Sequence, residues 1–242
     1  MARPAAGLGA RPPVVPYDLG GTLSNPAKAP PPLSLATFGA TAAGLPASFD
    51  LSSYVARVYD QQTVPACACY SAAAMQSIFE AIERRAWMAF DALECYHALG
   101  GTGAVGVDST AVLEYAQTTG FLAAGTVHRY RLKSYGTVRL GSAGQLEPVK
   151  AAIANNRSVV LSMLLPTDWG QNAGQSSAAS VSGTLHQVCL TGYDANRLYF
   201  VNSQGSAWGD EGFGSVPATF VLGDDQDPYC YAYTAIDAVD DN

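Results

Sequence analysis

Apolar residues recur at four-residue steps in the first half of this chain and in short β-rich runs in the second. From Ala68 to about Ala89, Tyr70, Ala74, Ile78 and Ile82 follow one another four apart, with Met75 and Phe79 adjoining. That spacing predicts a helix buried around much of its circumference. Arg84 and Arg85 stand near its end, where cations suit the helix dipole. Ser109–Thr118, closed by Gly120, and a stretch around Leu146–Asn155 predict two further helices. The period then changes. Segments 158–165, 187–193, 198–202, 216–222 and 229–236 are rich in Val, Leu, Tyr and Phe and are bounded by Gly, Asp, Asn or Pro, which predicts strands. Helices first and strands afterwards indicate the α+β class with two segregated parts, and no internal repeat is visible. Between Thr167 and Thr184, Gly, Ser, Asn and Ala dominate. This stretch reads as a loop suited to the rim of a site.

Composition narrows the picture. With 242 residues, 48% hydrophobic and 14% charged, the chain can bury a substantial core as one unit or two packed lobes. Residues 1–44 stand apart: nine of the fourteen prolines lie within residues 1–46, and Pro30-Pro31-Pro32 favours an extended polyproline conformation. Their formal charge is +2, against −9 for residues 45–242. A bland extended leader, an arm that a partner recognises or that targets the protein, and an inhibitory pro-segment all fit such a tail. The net charge of −7 and the absence of a Lys/Arg cluster argue against a nucleic-acid partner. Apolar runs fall short of the roughly 20 residues that a membrane span needs. Arg3 and Arg11 enclose no apolar stretch of the secretory kind, so a cytoplasmic location is expected, with non-classical export or delivery left open. The five cysteines (67, 69, 95, 189 and 230) are an odd set with no CxxC pair, which points to reduced thiols.

Cysteine-based catalysis needs a thiolate, a base and donors for a developing oxyanion. Cys67 follows Pro65-Ala66 and opens the apolar helix, where the positive helix end and unpaired N–H groups favour a thiolate. Of three histidines, His97 lies beside Tyr96 in a stretch that reads as helical, and His128 lies among Arg129 and Arg131. His186 opens a strand directly after the Gly/Ser loop, and is the best placed of the three to project into a groove. A lone Cys and a lone His are usually structural.

Order and context strengthen the pairing. Leu45-Pro-Ala-Ser-Phe-Asp-Leu51 resembles the start of the mature domain in the papain family (clan CA, C1) of cysteine peptidases. Asp60-Gln61-Gln-Thr-Val-Pro-Ala-Cys67-Ala-Cys-Tyr70-Ser-Ala resembles that family's Gln-Gly-x-x-Gly-Ser-Cys-Trp-Ala-Phe-Ser-Ala block, with the same six-residue step from Gln61 to Cys67. Leu185-His186-Gln-Val-Cys-Leu-Thr-Gly-Tyr193 resembles its His-Ala-Val-x-x-x-Gly-Tyr strand. Asn202-Ser-Gln-Gly205-Ser-Ala-Trp208-Gly-Asp-Glu-Gly212-Phe resembles its Asn-Ser-Trp-Gly-x-x-Trp-Gly-x-x-Gly-Tyr block, 16 residues after His186 as in the family. The resemblance spans about residues 45–236.

It implies a papain-like fold: a helical left lobe and an antiparallel, β-barrel-like right lobe with the active-site cleft between them. It also implies a cysteine endopeptidase acting on a protein or peptide substrate. Cys67 would be the nucleophile, His186 the base, Asn202 the residue that orients it, and Gln61 an oxyanion donor beside the Cys67 N–H. Trp208 would pack over or beside the His–Asn pair, and Gly106-Val107-Asp108 would lie where the family places the strand that pairs with substrate backbone, although a turn glycine explains Gly106 equally well. No metal or organic cofactor is implied. The chain also departs from the pattern: Pro65-Ala66 stands for Gly-Ser, Ala68 for Trp, Val64 for a bridging Cys, and Gln204 for the Trp that shields the His–Asn bond. Losing two tryptophans is expected to open the leaving-group side of the cleft. A register with Cys69 as nucleophile competes, but it makes the step from the glutamine seven residues and turns the helix by about 200°. Two other functions stay open: a transamidase or effector that modifies one protein, and a papain-fold binding module with a weakened site.

Overall fold

The computed structural model describes residues 10–11, 44–103, 105–142, 145–226 and 229–237. Apart from Ala10–Arg11 and Gly44, the tail assigned to 1–44 lies outside the described residues. In chain order the elements are β1 (Ala10–Arg11), β2 (Phe49–Asp50), α1 (Cys67–Arg84), α2 (Ala92–Ala98), β3 (Val107–Asp108), α3 (Ser109–Thr118), β4 (Phe121–Leu122) and β5 (Arg129–Tyr130). There follow β6 (Leu132–Arg139), α4 (Glu147–Ala154), β7 (Val159–Pro166), β8 (Val181–Tyr193), β9 (Arg197–Val201), β10 (Phe213–Pro217) and β11 (Tyr231–Asp237). The α+β class and the segregation of helices from sheet are as expected.

Helix α1 is the rod around which the helical part is built. Fourteen of its eighteen residues are buried, because Ala, Ser and Cys let neighbours approach while Met75, Ile78 and Phe79 fill the gaps between them. It packs against α2 and α3 on the helical side and against β7 and β8 of the sheet. The helix ends before the expected Ala89, because Arg85 turns into the left-handed region (φ 56) and its N–H closes on the Glu80 carbonyl. Asp91 caps α2 through the Glu94 N–H, and the Asp108 carboxylate caps α3 through the N–H groups of Thr110 and Ala111.

The main sheet has seven strands in the order β10-β9-β8-β7-β11-β6, with β2 added to β8, and every pairing in it is antiparallel. All eight residues of β7 are buried, so that strand reads as a continuous apolar run rather than an alternation. Strand β6 was not anticipated: Lys133, Ser134, Gly136 and Arg139 dilute its apolar signal, and only pairing with β11 makes it a strand. Conversely, the expected strand 216–222 is mostly turn. Strand β10 stops at Pro217, the Phe220 N–H bonds the Pro217 carbonyl, and Phe220 and Val221 reach the core from a loop.

One carboxylate lies inside this packing. Glu80, fully buried on α1, accepts from Gln76 Nε2 at 2.9 Å and pairs with Arg84 Nε at 3.0 Å. Removing one member of such a pair strands the other charge. Arg84→Ala is expected to lower stability by ~3 kcal/mol, read as a reduced denaturant midpoint at neutral pH. The loss should shrink when Glu80→Gln is added, because no charge then remains to be stranded.

Candidate active site

Strand β8 carries His186 opposite Met163 of β7, inside the sheet, with its side chain 0% exposed. An imidazole taken out of water needs partners. Its Nε2 meets Asn202 Oδ1 at 2.8 Å, and Asn202 itself is 3% exposed at the end of β9. The same Oδ1 accepts the Ser203 N–H at 2.8 Å, and the Asn202 N–H bonds the Gly212 carbonyl. His97 and His128 are exposed, so His186 is the one buried histidine of the three.

A backbone seam then ties the segment before α1 to the segment after Asn202. The Gln61 N–H donates to the Ser203 carbonyl at 2.8 Å, Asp60 bridges Gln204, and the Gly205 N–H reaches the Tyr59 carbonyl. The Gln61 side chain is buried within it: Oε1 accepts from Ser203 Oγ at 2.6 Å, and Nε2 donates to the Val64 carbonyl at 2.8 Å. From Gln61 the bonds Val64 N–H to Gln61 carbonyl and Ala66 N–H to Val64 carbonyl coil the chain into the first turn of α1, where Cys67 is fully buried. Gln61, His186 and Asn202 therefore share one hydrogen-bonded neighbourhood, and Cys67 follows six residues after Gln61 on the helix that packs against β8.

Cys69 has a different setting. Burial, and then the neighbouring Cys95 thiol of α2, hold its pKa well above the usual value. All five cysteines are unbridged thiols.

An indole covers the histidine. Trp169, in the loop between β7 and β8, meets the His186 ring edge to face at 5.6 Å and stacks on Phe200 at 5.5 Å. It also packs on Trp208 at 4.8 Å. The loop is pinned by Asp168, whose carboxylate accepts from Ser176 Oγ, the Ser177 N–H (2.7 Å) and the Ala178 N–H (3.0 Å). Partial burial works to raise the Asp168 pKa, but these hydrogen bonds outweigh it and lower the pKa below the usual value. Gly174 closes the loop with φ +76; a Cβ there would stand 2.8 Å from the Phe213 carbonyl oxygen, so the turn admits only glycine.

Against solved structures, xylellain, a cysteine protease from Xylella fastidiosa, aligns over 99% of this chain and 99% of its own at TM-score 0.72 and 16% identity. Procathepsin B S9 from Trypanosoma congolense aligns over 90% and 86% at TM-score 0.69 and 16% identity. A Carica candamarcensis cysteine protease bound to E-64 aligns over 79% and 99% at TM-score 0.62 and 18% identity. The fold is that of the papain-like cysteine proteases. No protein-family model matches the sequence, nor does any curated protein.

Within this papain-like fold the remaining expected positions can be placed. Trp208 is partly buried in the aromatic stack, resting on Trp169 and Phe200, and the indole that meets the His186 ring is Trp169. Gly106 is buried just ahead of β3, and Ser109 of α3 donates to Gln187 Oε1 next to His186 at 2.9 Å. Gln204, where a tryptophan was expected, accepts from Asn202 Nδ2 at 3.1 Å and from Trp169 Nε1 at 3.3 Å. Trp169, 35 positions earlier in the chain, thus stands against the residue that replaces that tryptophan. Sequence reasoning passed over Trp169; the available signal was one large aromatic in an otherwise polar loop. Among the described residues no group of His, Cys, Asp and Glu is arranged to hold a metal, and no helix is long and apolar enough to cross a membrane.

The Asp168 clasp has a pH signature. Because the folded pKa is depressed, the clasp stabilises the loop fully above the unfolded value of about 3.9 and is lost as pH falls through the folded pKa. Hydrogen exchange at the Ser177 and Ala178 amides should accelerate below about pH 4 relative to the strands of the sheet. Asp168→Asn should exchange faster at neutral pH and lose that acid dependence.

Proposed function

We propose that this protein is a cysteine peptidase that cleaves peptide bonds through an acyl-enzyme on Cys67. The observation that carries the reading is the buried His186–Asn202 bond, lying in the same seam as Gln61 and the start of α1. With Nε2 bonded to Asn202, Nδ1 is the ring nitrogen that would take the thiol proton. The first turn of α1 favours the thiolate, which attacks the substrate carbonyl carbon. The oxyanion that forms would be held by the Cys67 N–H and by Gln61 Nε2, which spends one of its two hydrogens on Val64. The imidazolium then protonates the departing amine, the C–N bond breaks, and water, deprotonated by His186, hydrolyses the thioester.

Cys69 suits this role poorly, since its raised pKa keeps it a thiol against Cys95. Two positions lie about 200° apart around a helix, so turning Cys69 toward α2 turns Cys67 away from it. Ala10–Arg11 pairs in parallel with Val107–Asp108, the segment following Gly106. With Ala10–Arg11 at the edge where substrate backbone would bind, that pairing supports reading the N-terminal tail as an inhibitory segment.

The test is labelling with E-64. Wild type and Cys69→Ser should gain the inhibitor's mass, and Cys67→Ser should not; labelling that follows Cys69 would overturn the assignment. Gln61→Ala should lower kcat by about 100-fold to 1000-fold on a peptide substrate, the usual cost of one oxyanion donor. Incubation of the full chain should release a fragment ending near Leu45 in wild type and none in Cys67→Ala.

A further inference from the structure

Which ring nitrogen of a buried histidine carries the proton is set by what faces it. Here the answer can be traced outward to groups that have no choice. The Ser203 backbone N–H can only donate, so the Asn202 atom 2.8 Å from it must be the amide oxygen. The Trp169 indole N–H can only donate, so the Gln204 atom 3.3 Å from it must also be an amide oxygen. Asn202 Nδ2 donates to that same Gln204 oxygen at 3.1 Å, which agrees with the orientation that Ser203 requires. Asn202 Oδ1 therefore faces His186 Nε2, and Nε2 must carry hydrogen.

From this chain of fixed donors we infer that Trp169 and Gln204 are positioning residues of the site: they hold the Asn202 amide in the one orientation that keeps the His186 proton on Nε2. The inference rests on the proposed peptidase reading for its kinetic consequences and on the hydrogen bonds alone for its structural one. Two parts of the indole act separately. The N–H selects the oxygen of Gln204, and the ring, edge to face on His186 at 5.6 Å, keeps water from competing for Asn202. Gln204 stands where a shielding aromatic was expected, and the amide acquires its use only because Trp169 arrives from the other loop. Asp168 holds that loop through Ser176, Ser177 and Ala178, so the indole is presented by a fastened turn.

The experiment compares E-64 inactivation across pH with the ring-proton NMR signal of His186 in the full chain. Wild type should show an Nε2 proton in slow exchange with water. Trp169→Ala should lose that signal and react about thirtyfold more slowly, while Trp169→Phe, which keeps the ring and drops the N–H, should slow by about threefold. Gln204→Leu, which removes the shared acceptor, should slow by about tenfold, and Gln204→Glu, which restores acceptors for both donors, should stay within about threefold of wild type. In the slower variants the bell-shaped pH profile should narrow from both sides, which a merely structural role would not produce. An unaltered profile with the Nε2 proton still slow in Trp169→Ala and Gln204→Leu overturns the inference. Should Trp169→Ala fail to fold, the Gln204→Leu and Gln204→Glu pair decides. A wild-type thiol inert to E-64 would remove the peptidase reading instead, and the ring signal would still decide the proton's place.

Discussion

Polar side chains buried in a sheet must satisfy one another, and the group formed by His186, Asn202, Ser203 and Gln61 does so across 142 residues of sequence between Gln61 and Ser203. A half-satisfied network would cost more than an apolar replacement. The backbone seam of Tyr59–Gln61 on Ser203–Gly205 is what brings every member within reach. Because that seam leads straight into α1, the same bonds that neutralise the buried amides also decide where the helix begins and where Cys67 stands. Structure and candidate chemistry have one origin here.

Helix α1 serves packing and site together without dividing its length between them. Its small residues permit close contact with α2, α3, β7 and β8. Two thiols two residues apart meet different surroundings as a result. Cys69 turns toward Cys95 and stays protonated, whereas Cys67 belongs to the first turn, just after the bonds from Val64 and Ala66. Spacing along a helix, rather than residue type, separates an inert packing thiol from a candidate nucleophile.

The loop between β7 and β8 shows how a weakly apolar segment can finish a buried site. Trp169 gains its surroundings from Phe200 and Trp208, and its loop gains order from Asp168 and from Arg197, which donates to the Ser176 carbonyl at 2.7 Å. Few of these contacts are local, so the loop's own composition says little about its order.

Periodicity and spacing alone determined much. The recurrence of Tyr70, Ala74, Ile78 and Ile82 marked α1, a helix around Ser109–Thr118 was marked by its closing Gly120, and the runs at β7, β8, β9 and β11 were legible from their β-branched and aromatic content. Those signals are local: each depends on side chains a few residues apart. It was the resemblance of three ordered blocks to the papain family, and not local pattern, that grouped Gln61, Cys67, His186 and Asn202 as one expected set. Tertiary structure decided what local pattern could not carry. It made a strand of Leu132–Arg139 through β11 and a turn of the residues after Pro217, and it brought Trp169 over His186 to meet Gln204. An edge strand, a buried loop and an indole shared between two loops all draw their energy from partners distant in sequence, and no window along the chain contains both halves of such a contact.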